Sequence, residues 1–248
     1  MNIWEIEGIH YFLALLPLVA MLYAAVGHGG ASGYLAMMAI WSFPISVMKP
    51  TALVLNLFVA AISFFAFSRK GHFNWKLLLA FAVSSVPLAF LGGMIEVNPA
   101  IYKKVLGVLL VFAVLRMLEL FGKDNAATRE VPMWQGLIVG GLIGFFSGLI
   151  GIGGGIILSP IILLMRWGTV KQAAAVSAAF IWVNSAAGLM GHLSRDVTIE
   201  PQAMTLVGIA LLGGALGGYL GSVKFNNLVL KRVLAFVLIL ACAKLFLT

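Results

Sequence analysis

Long runs without a charged residue dominate the chain. Thr51 to Ser68, Leu77 to Ile95, Met133 to Met165, Gln172 to Ser194 and Pro201 to Val223 contain no Asp, Glu, Lys or Arg. About 20 apolar residues cross a bilayer as a helix, so these runs predict transmembrane spans. In order, the apolar stretches are 9–42, 50–68, 77–96 and 104–121, then 134–166, 172–193, 203–222 and 229–247. Glycines at 27–33 and 151–155 break the first stretch of each set of four. The shorter piece left by each break, about 11 residues, would rise only ~16 Å against a hydrocarbon core of ~30 Å. That predicts a re-entrant helical hairpin with its glycine tip near mid-membrane.

The two sets repeat one another. Gly27-His28-Gly29-Gly30 lies 124 positions before Gly151-Ile152-Gly153-Gly154, and Leu91-Gly92-Gly93 lies 125 before Leu216-Gly217-Gly218. Lys103-Lys104-Val105-Leu106 lies 128 before Lys231-Arg232-Val233-Leu234. The expected organisation is a first repeat over 1–121, a linker over 122–132 and a second repeat over 133–248. A hairpin plus three spans crosses the membrane an odd number of times, so the second repeat would be inverted. The fold class expected is therefore an all-α integral membrane protein with an inverted-topology repeat, each half a re-entrant helical hairpin plus three transmembrane helices.

Charge agrees with that topology. If loop 69–76 is cytoplasmic, its side receives ten basic residues, Arg69, Lys70, Lys76, Lys123, Arg129, Arg166, Lys171, Lys224, Lys231 and Arg232. The other side receives five, Lys49, Lys103, Lys104, Arg195 and Lys244, with the acidic Glu5 and Glu7. This is the positive-inside bias, and it puts the N-terminus outside a bacterial cytoplasmic membrane. Treating each broken stretch as one span leaves an eight-to-seven split. Composition points the same way, with 62% hydrophobic and 10% charged residues. The net charge of +8 lies in short clusters between apolar runs, which argues against a nucleic-acid partner. Glu5 and Glu7 precede the first run and no cleavage site follows it, so that run is expected to stay as a membrane helix. The single cysteine, Cys242, excludes an intrachain disulfide and a multi-cysteine metal site.

Irregular backbone at membrane depth is tolerated only where protein or water satisfies it, so the glycine tips are the place to look for a site. Helices beginning after each tip would aim free N–H groups and a positive dipole end at the membrane centre, which favours an anion. The substrate-binding candidates are thus Gly27, His28, Gly29, Gly30 and Ser32 at the first tip and Gly151, Gly153, Gly154 and Gly155 at the second. Histidine ordinarily titrates near physiological pH, so His28 could donate to an anion or carry a coupled proton. On the first full span of each half, Thr51, Asn56, Ser177 and Asn184 offer hydroxyls and amides to a cavity, with Ser63 and Ser185 alongside. Gly92-Gly93, Gly213-Gly214 and Gly217-Gly218 read as helix-packing positions. Lys49 and Lys171 read as snorkelling to headgroups, and His10, Trp4, Trp41, Trp75, Trp134 and Trp167 as interfacial anchors. No cofactor or metal is expected.

Gly30-Ala31-Ser32-Gly33 also has the GxSG form of the rhomboid intramembrane serine proteases, with His192 as the base. Rhomboid-like proteins, however, carry several spans before this serine and have no inverted duplication. A passive anion channel is a third reading.

The chain resembles the TauE/SafE sulfite-exporter family of TSUP transporters nearly end to end. The residues that carry the resemblance are Gly151-Ile152-Gly153-Gly154-Gly155 with Pro160, Lys49-Pro50-Thr51 through Asn56, and the Leu-Gly-Gly triplets. The resemblance implies transport of sulfite or a small organosulfur or carboxylate anion, coupled to protons, by alternating access. Where the family often has three glycines, the first tip reads Gly27-His28-Gly29-Gly30-Ala31-Ser32, adding polar groups to one tip only.

Overall fold

The computed structural model describes residues 3–117, 128–195 and 201–223, with the single positions 199 and 239. Apart from position 239, the stretch expected at 229–247, with Cys242, lies outside the described residues, as do positions 118–121 of the stretch expected at 104–121 and 122–127 of the expected linker. After one 3-10 turn at Ile3–Glu5, the described elements are α1 Ile9–Ala25, α2 Ala31–Ile40, α3 Ile45–Ser68, α4 Trp75–Met94, α5 Pro99–Met117, α6 Met133–Ile150, α7 Gly155–Leu164, α8 Val170–Leu193 and α9 Gln202–Val223. Five of them, α3, α4, α6, α8 and α9, are long and apolar enough to cross a membrane. Their outward faces carry apolar side chains that are each at least half exposed, including Leu79, Val83, Ile138, Leu142, Leu212 and Leu216. A surface of that kind is covered by lipid, and the protein is an integral membrane protein.

Each glycine cluster stops a helix where predicted. Gly30 and Gly154, at φ +101° and +78°, cap the N-termini of the ten-residue α2 and α7, in a backbone that side chains rarely adopt. The chain then doubles back, and both hairpins are tied at their bases. Trp41 Nε1 after α2 donates to the Gly8 carbonyl before α1 at 3.0 Å. The Arg129 backbone N–H and its Nε, before α6, donate to the carbonyls of Arg166 and Met165 after α7, at 2.8 and 2.9 Å.

Glycines let the longer helices approach backbone to backbone. Along α6, Gly136, Gly140, Gly144 and Gly148 face Ala80, Phe81, Ser85 and Ala89 of α4 in rising order, so α4 and α6 run parallel. Gly213 and Gly217 of α9 meet Pro17 and Met21 of α1, and Gly214 and Gly218 meet Val59 and Ile62 of α3. Helices α1, α3 and α9 therefore share one direction. Leu77 of α4 lies beside Gly168 ahead of α8, and Arg195 and Glu96, beyond their C-terminal ends, form a 2.7 Å ion pair, so α8 runs with α4 and α6. The short turn after Ser68 reverses the chain, setting this second group against the first. Helix α1 packs on α9, and α6 on α4.

Several expected boundaries shift. Helix α3 starts at Ile45 and not near 50, so Lys49 and Pro50 are helical. Lys49 does not snorkel: it is 7% exposed, with its Nζ 4.8 Å from the centre of the Tyr102 ring. Trp167 is no interfacial anchor either, being buried against Phe81. Trp75 and Trp134 are each 64% exposed, as anchors are.

Candidate functional site

The two tips meet, and reciprocally. A Cβ built on Gly27 of the first tip would lie 2.8 Å from Ala174 Cβ of α8, and one on Gly151 of the second tip 3.2 Å from the Lys49 carbonyl oxygen of α3. Between these contacts, Gly29 and Gly153 face the same two side chains. A Cβ at either would run into the Asn56 amide and come within 3.0 Å of Ile181 Cγ2. Gly29 and Gly153 hold the same place in the two similar glycine motifs, Gly27-His28-Gly29-Gly30 and Gly151-Ile152-Gly153-Gly154, while Asn56 and Ile181 lie on α3 and α8. All four meet in one place.

Asn56 fixes this centre. Its Oδ1 accepts from the Ala31 backbone N–H, the first of α2, at 3.0 Å, and its Nδ2 donates to Ser185 Oγ at 3.2 Å. Asn56 and Ser185 are both fully buried. The N–H groups of Ser32 and Gly33 in α2, and of Gly155 and Ile156 in α7, precede the first bonds to the caps, which Tyr34 and Ile157 make to the Gly30 and Gly154 carbonyls, and the helix dipoles add positive potential at the tips.

His28 joins the halves a second time. Its Nδ1 lies 3.0 Å from the Val26 carbonyl oxygen and its Nε2 3.4 Å from Ser159 Oγ of α7, which is 2.8 Å from Ser177 Oγ of α8. A carbonyl only accepts, so Nδ1 carries the proton and neutral His28 presents Nε2 as an acceptor to Ser159. Protonation would turn Nε2 into a donor and reverse the hydroxyl chain behind it. Ser63 Oγ donates to the His28 carbonyl at 3.4 Å.

The other sequence candidates are placed differently. Ser32 Oγ donates to Tyr23 Oη at 2.9 Å, inside the first hairpin. His192, its supposed partner in proteolysis, instead neighbours Lys49, Arg195 and the Gly148 backbone. Thr51 is buried in α3. Asn184 is buried and donates to the Phe180 carbonyl at 2.9 Å, while its Oδ1 has no partner among the described residues. That free group is an acceptor, which suits an anion poorly. Gly154 and Gly155 press on Phe180 and Ile181. Sequence reasoning overlooked Ser159. Its signal was its place one turn into the helix that follows the second glycine tip.

A helical bundle with lipid-facing sides and two broken hairpins that meet inside it has the build of a membrane transporter. The chain belongs to the sulfite exporter TauE/SafE family, which matches residues 12–245. A "probable membrane transporter protein" of Sinorhizobium fredii is 37% identical over 232 residues, covering 92% of this chain and 94% of that one. Another protein of that description, from Methanocaldococcus jannaschii, is 29% identical over 201 residues, 75% of each chain. No solved structure matches the chain significantly.

Proposed function

We propose that the protein carries a small anion, with sulfite the first candidate and small organosulfur or carboxylate anions next, by proton-coupled alternating access. Residues 1–121 and 133–248 act as an inverted repeat joined by 122–132, with the N-terminus outside a bacterial cytoplasmic membrane. The opposite directions of α1 and α6, α3 and α8, and α4 and α9 support this arrangement. The observation that carries the reading is the meeting of Gly29 and Gly153 at Asn56. Two helix N-termini from opposite hairpins converge there, and close glycine backbone leaves N–H groups as the natural ligands of an oxyanion. Gly27, Gly30, Gly151, Gly154 and Gly155 shape the two tips, Ser177 extends the polar chain, and His28 carries the coupled proton. Thr51, Ser32 and Asn184 support the walls.

The test is sulfite flux into proteoliposomes. Transport should saturate with sulfite and accelerate when a proton gradient is imposed. Flux that stays linear in concentration and indifferent to the gradient marks a passive channel and overturns the proposal. Ser32→Ala should retain flux.

A further inference from the structure

A cavity of about 360 Å³ lies where α4, α6 and α8 begin, and no residue of the glycine tips lines it. At ~30 Å³ per water it has room for roughly a dozen. Its lining is rich in hydrogen-bond donors. Lys76 of α4 and Arg129 ahead of α6 bring two cations against one carboxylate, Glu130, and all three side chains are exposed. Asn74 and Gln172 line it too, each with its amide oxygen already committed. Asn74 Oδ1 accepts from the Leu77 N–H at 3.2 Å, and Gln172 Oε1 from the Thr169 N–H at 3.0 Å. What each has left to offer a ligand is an NH2 donor. Trp167, also in the lining, is 4% exposed, and its indole N–H has no acceptor among the described residues. A buried donor left unmet is costly, and a ligand oxygen would remove that cost. The positive dipole ends of three parallel helices add to the two cations. Trp75 and Trp134, each 64% exposed on the first turns of α4 and α6, put the cavity at the level of lipid head groups.

We infer that this cavity binds a phosphate group at the membrane surface, carried by an anionic phospholipid or by a soluble phosphate. Donors outnumber acceptors in the lining and its cations outnumber its carboxylate, which suits a ligand that is negative and mainly an acceptor. On the proposed topology this face is cytoplasmic, the leaflet where anionic head groups meet basic loops. A bound phosphate would join α4, the start of α6 and the α7–α8 turn. It would brace the base of the second hairpin, where Arg129 already holds the carbonyls of Met165 and Arg166. The site is separate from the glycine tips, whatever anion they carry.

The test uses the purified full chain in a neutral detergent. Its melting midpoint is followed during titration with short-chain phosphatidylglycerol, with inorganic phosphate, and with diacylglycerol as the phosphate-free control. A phosphate source should raise the midpoint by mass action, by roughly 5 °C near saturation, and diacylglycerol should not. A rise with phosphatidylglycerol alone identifies a lipid head group as the ligand, and a rise with inorganic phosphate as well identifies a soluble one. The half-maximal concentration should increase about tenfold in Lys76→Gln, which removes a charge-assisted bond, and return towards wild type in Lys76→Arg. Trp167→Phe keeps a ring and removes the N–H, and should increase it severalfold. Lys70→Gln removes an equal, exposed charge outside the cavity and should leave it unchanged. If Lys70→Gln weakens the response as much as Lys76→Gln, the attraction is to diffuse surface charge and the site falls. It falls too if neither phosphate source shifts the wild-type midpoint, or if diacylglycerol shifts it as far.

Discussion

Adding one methyl group at Gly153 tests the tip site with a cost that can be worked out in parts. Gly153 has φ +73°, and its Cβ would lie 2.9 Å from Ile181 Cγ2 and 3.1 Å from Ser185 Oγ, besides meeting Asn56. A left-handed backbone costs a non-glycine residue about 1–2 kcal/mol. Overpacking a tight interior costs about 1–3 kcal/mol more. Two other glycines isolate these costs. Gly71 has φ +75° with nothing within 4 Å, so Gly71→Ala carries the backbone cost alone. Gly29 crowds Asn56 and Ile181 without a positive φ, so Gly29→Ala carries only the crowding. The expected losses in denaturant unfolding are therefore about 1–2 kcal/mol for Gly71→Ala, about 1–3 for Gly29→Ala and about 2–5 for Gly153→Ala. Sulfite flux per folded molecule should be unchanged in Gly71→Ala and reduced in both tip variants, because each methyl displaces the amide that anchors α2. Equal flux in all three, at matched protein in proteoliposomes, refutes the reasoning.

Asn56→Ala should cost about 1–3 kcal/mol in the same unfolding assay, since the buried Ala31 N–H loses its acceptor. It should also lower sulfite flux. In Gly144→Leu the new side chain starts 2.5 Å from Ser85 Cα, so more than about 3 kcal/mol should be lost and a monodisperse peak on size exclusion should disappear. His28→Ala should weaken sulfite binding more at about pH 5.5 than at about pH 8, on the two sides of the ordinary imidazole range. Equal losses at both values would leave His28 a packing role. With Cys242 replaced by Ser, a cysteine at Ser194 should react with an impermeant maleimide in intact cells, and one at Lys70 only after permeabilisation. Labelling of both from outside would sink the inverted topology.

The helices were legible because lipid as solvent leaves a coarse signal. Uncharged runs near 20 residues mark spans, and glycine clusters mark the breaks at Val26–Gly30 and Gly151–Gly154. What each side chain faces was less legible. Lys49 and Trp167 stand near run ends, where a cation or an indole usually reaches the interface, yet both are buried. Lys49 is held in because the helix begins at Ile45, ahead of the uncharged run that opens at Thr51, and its backbone abuts Gly151. Ser159 was hidden for another reason. A lone serine among Ile156, Ile157, Leu158 and Ile161 has no periodic signature, and only the approach of the other half gives it a partner.

Under the proposed repeat, the scatter of the polar groups in sequence has a reason. At matching positions one half supplies a polar residue and the other an apolar one: His28 against Ile152, Asn56 against Ile181, Ser159 against Leu35, Ser177 against Ala52 and Ser185 against Ala60. The polar members then bond across the halves, His28 towards Ser159 and Asn56 to Ser185. A strictly symmetric duplication would set two asparagines or two histidines face to face at the junction. With complementary partners Asn56 and Ser185, and His28 and Ser159, satisfy one another across the junction, as a membrane interior favours. The backbone of the two tips can therefore stay nearly equivalent while the side chains around it differ.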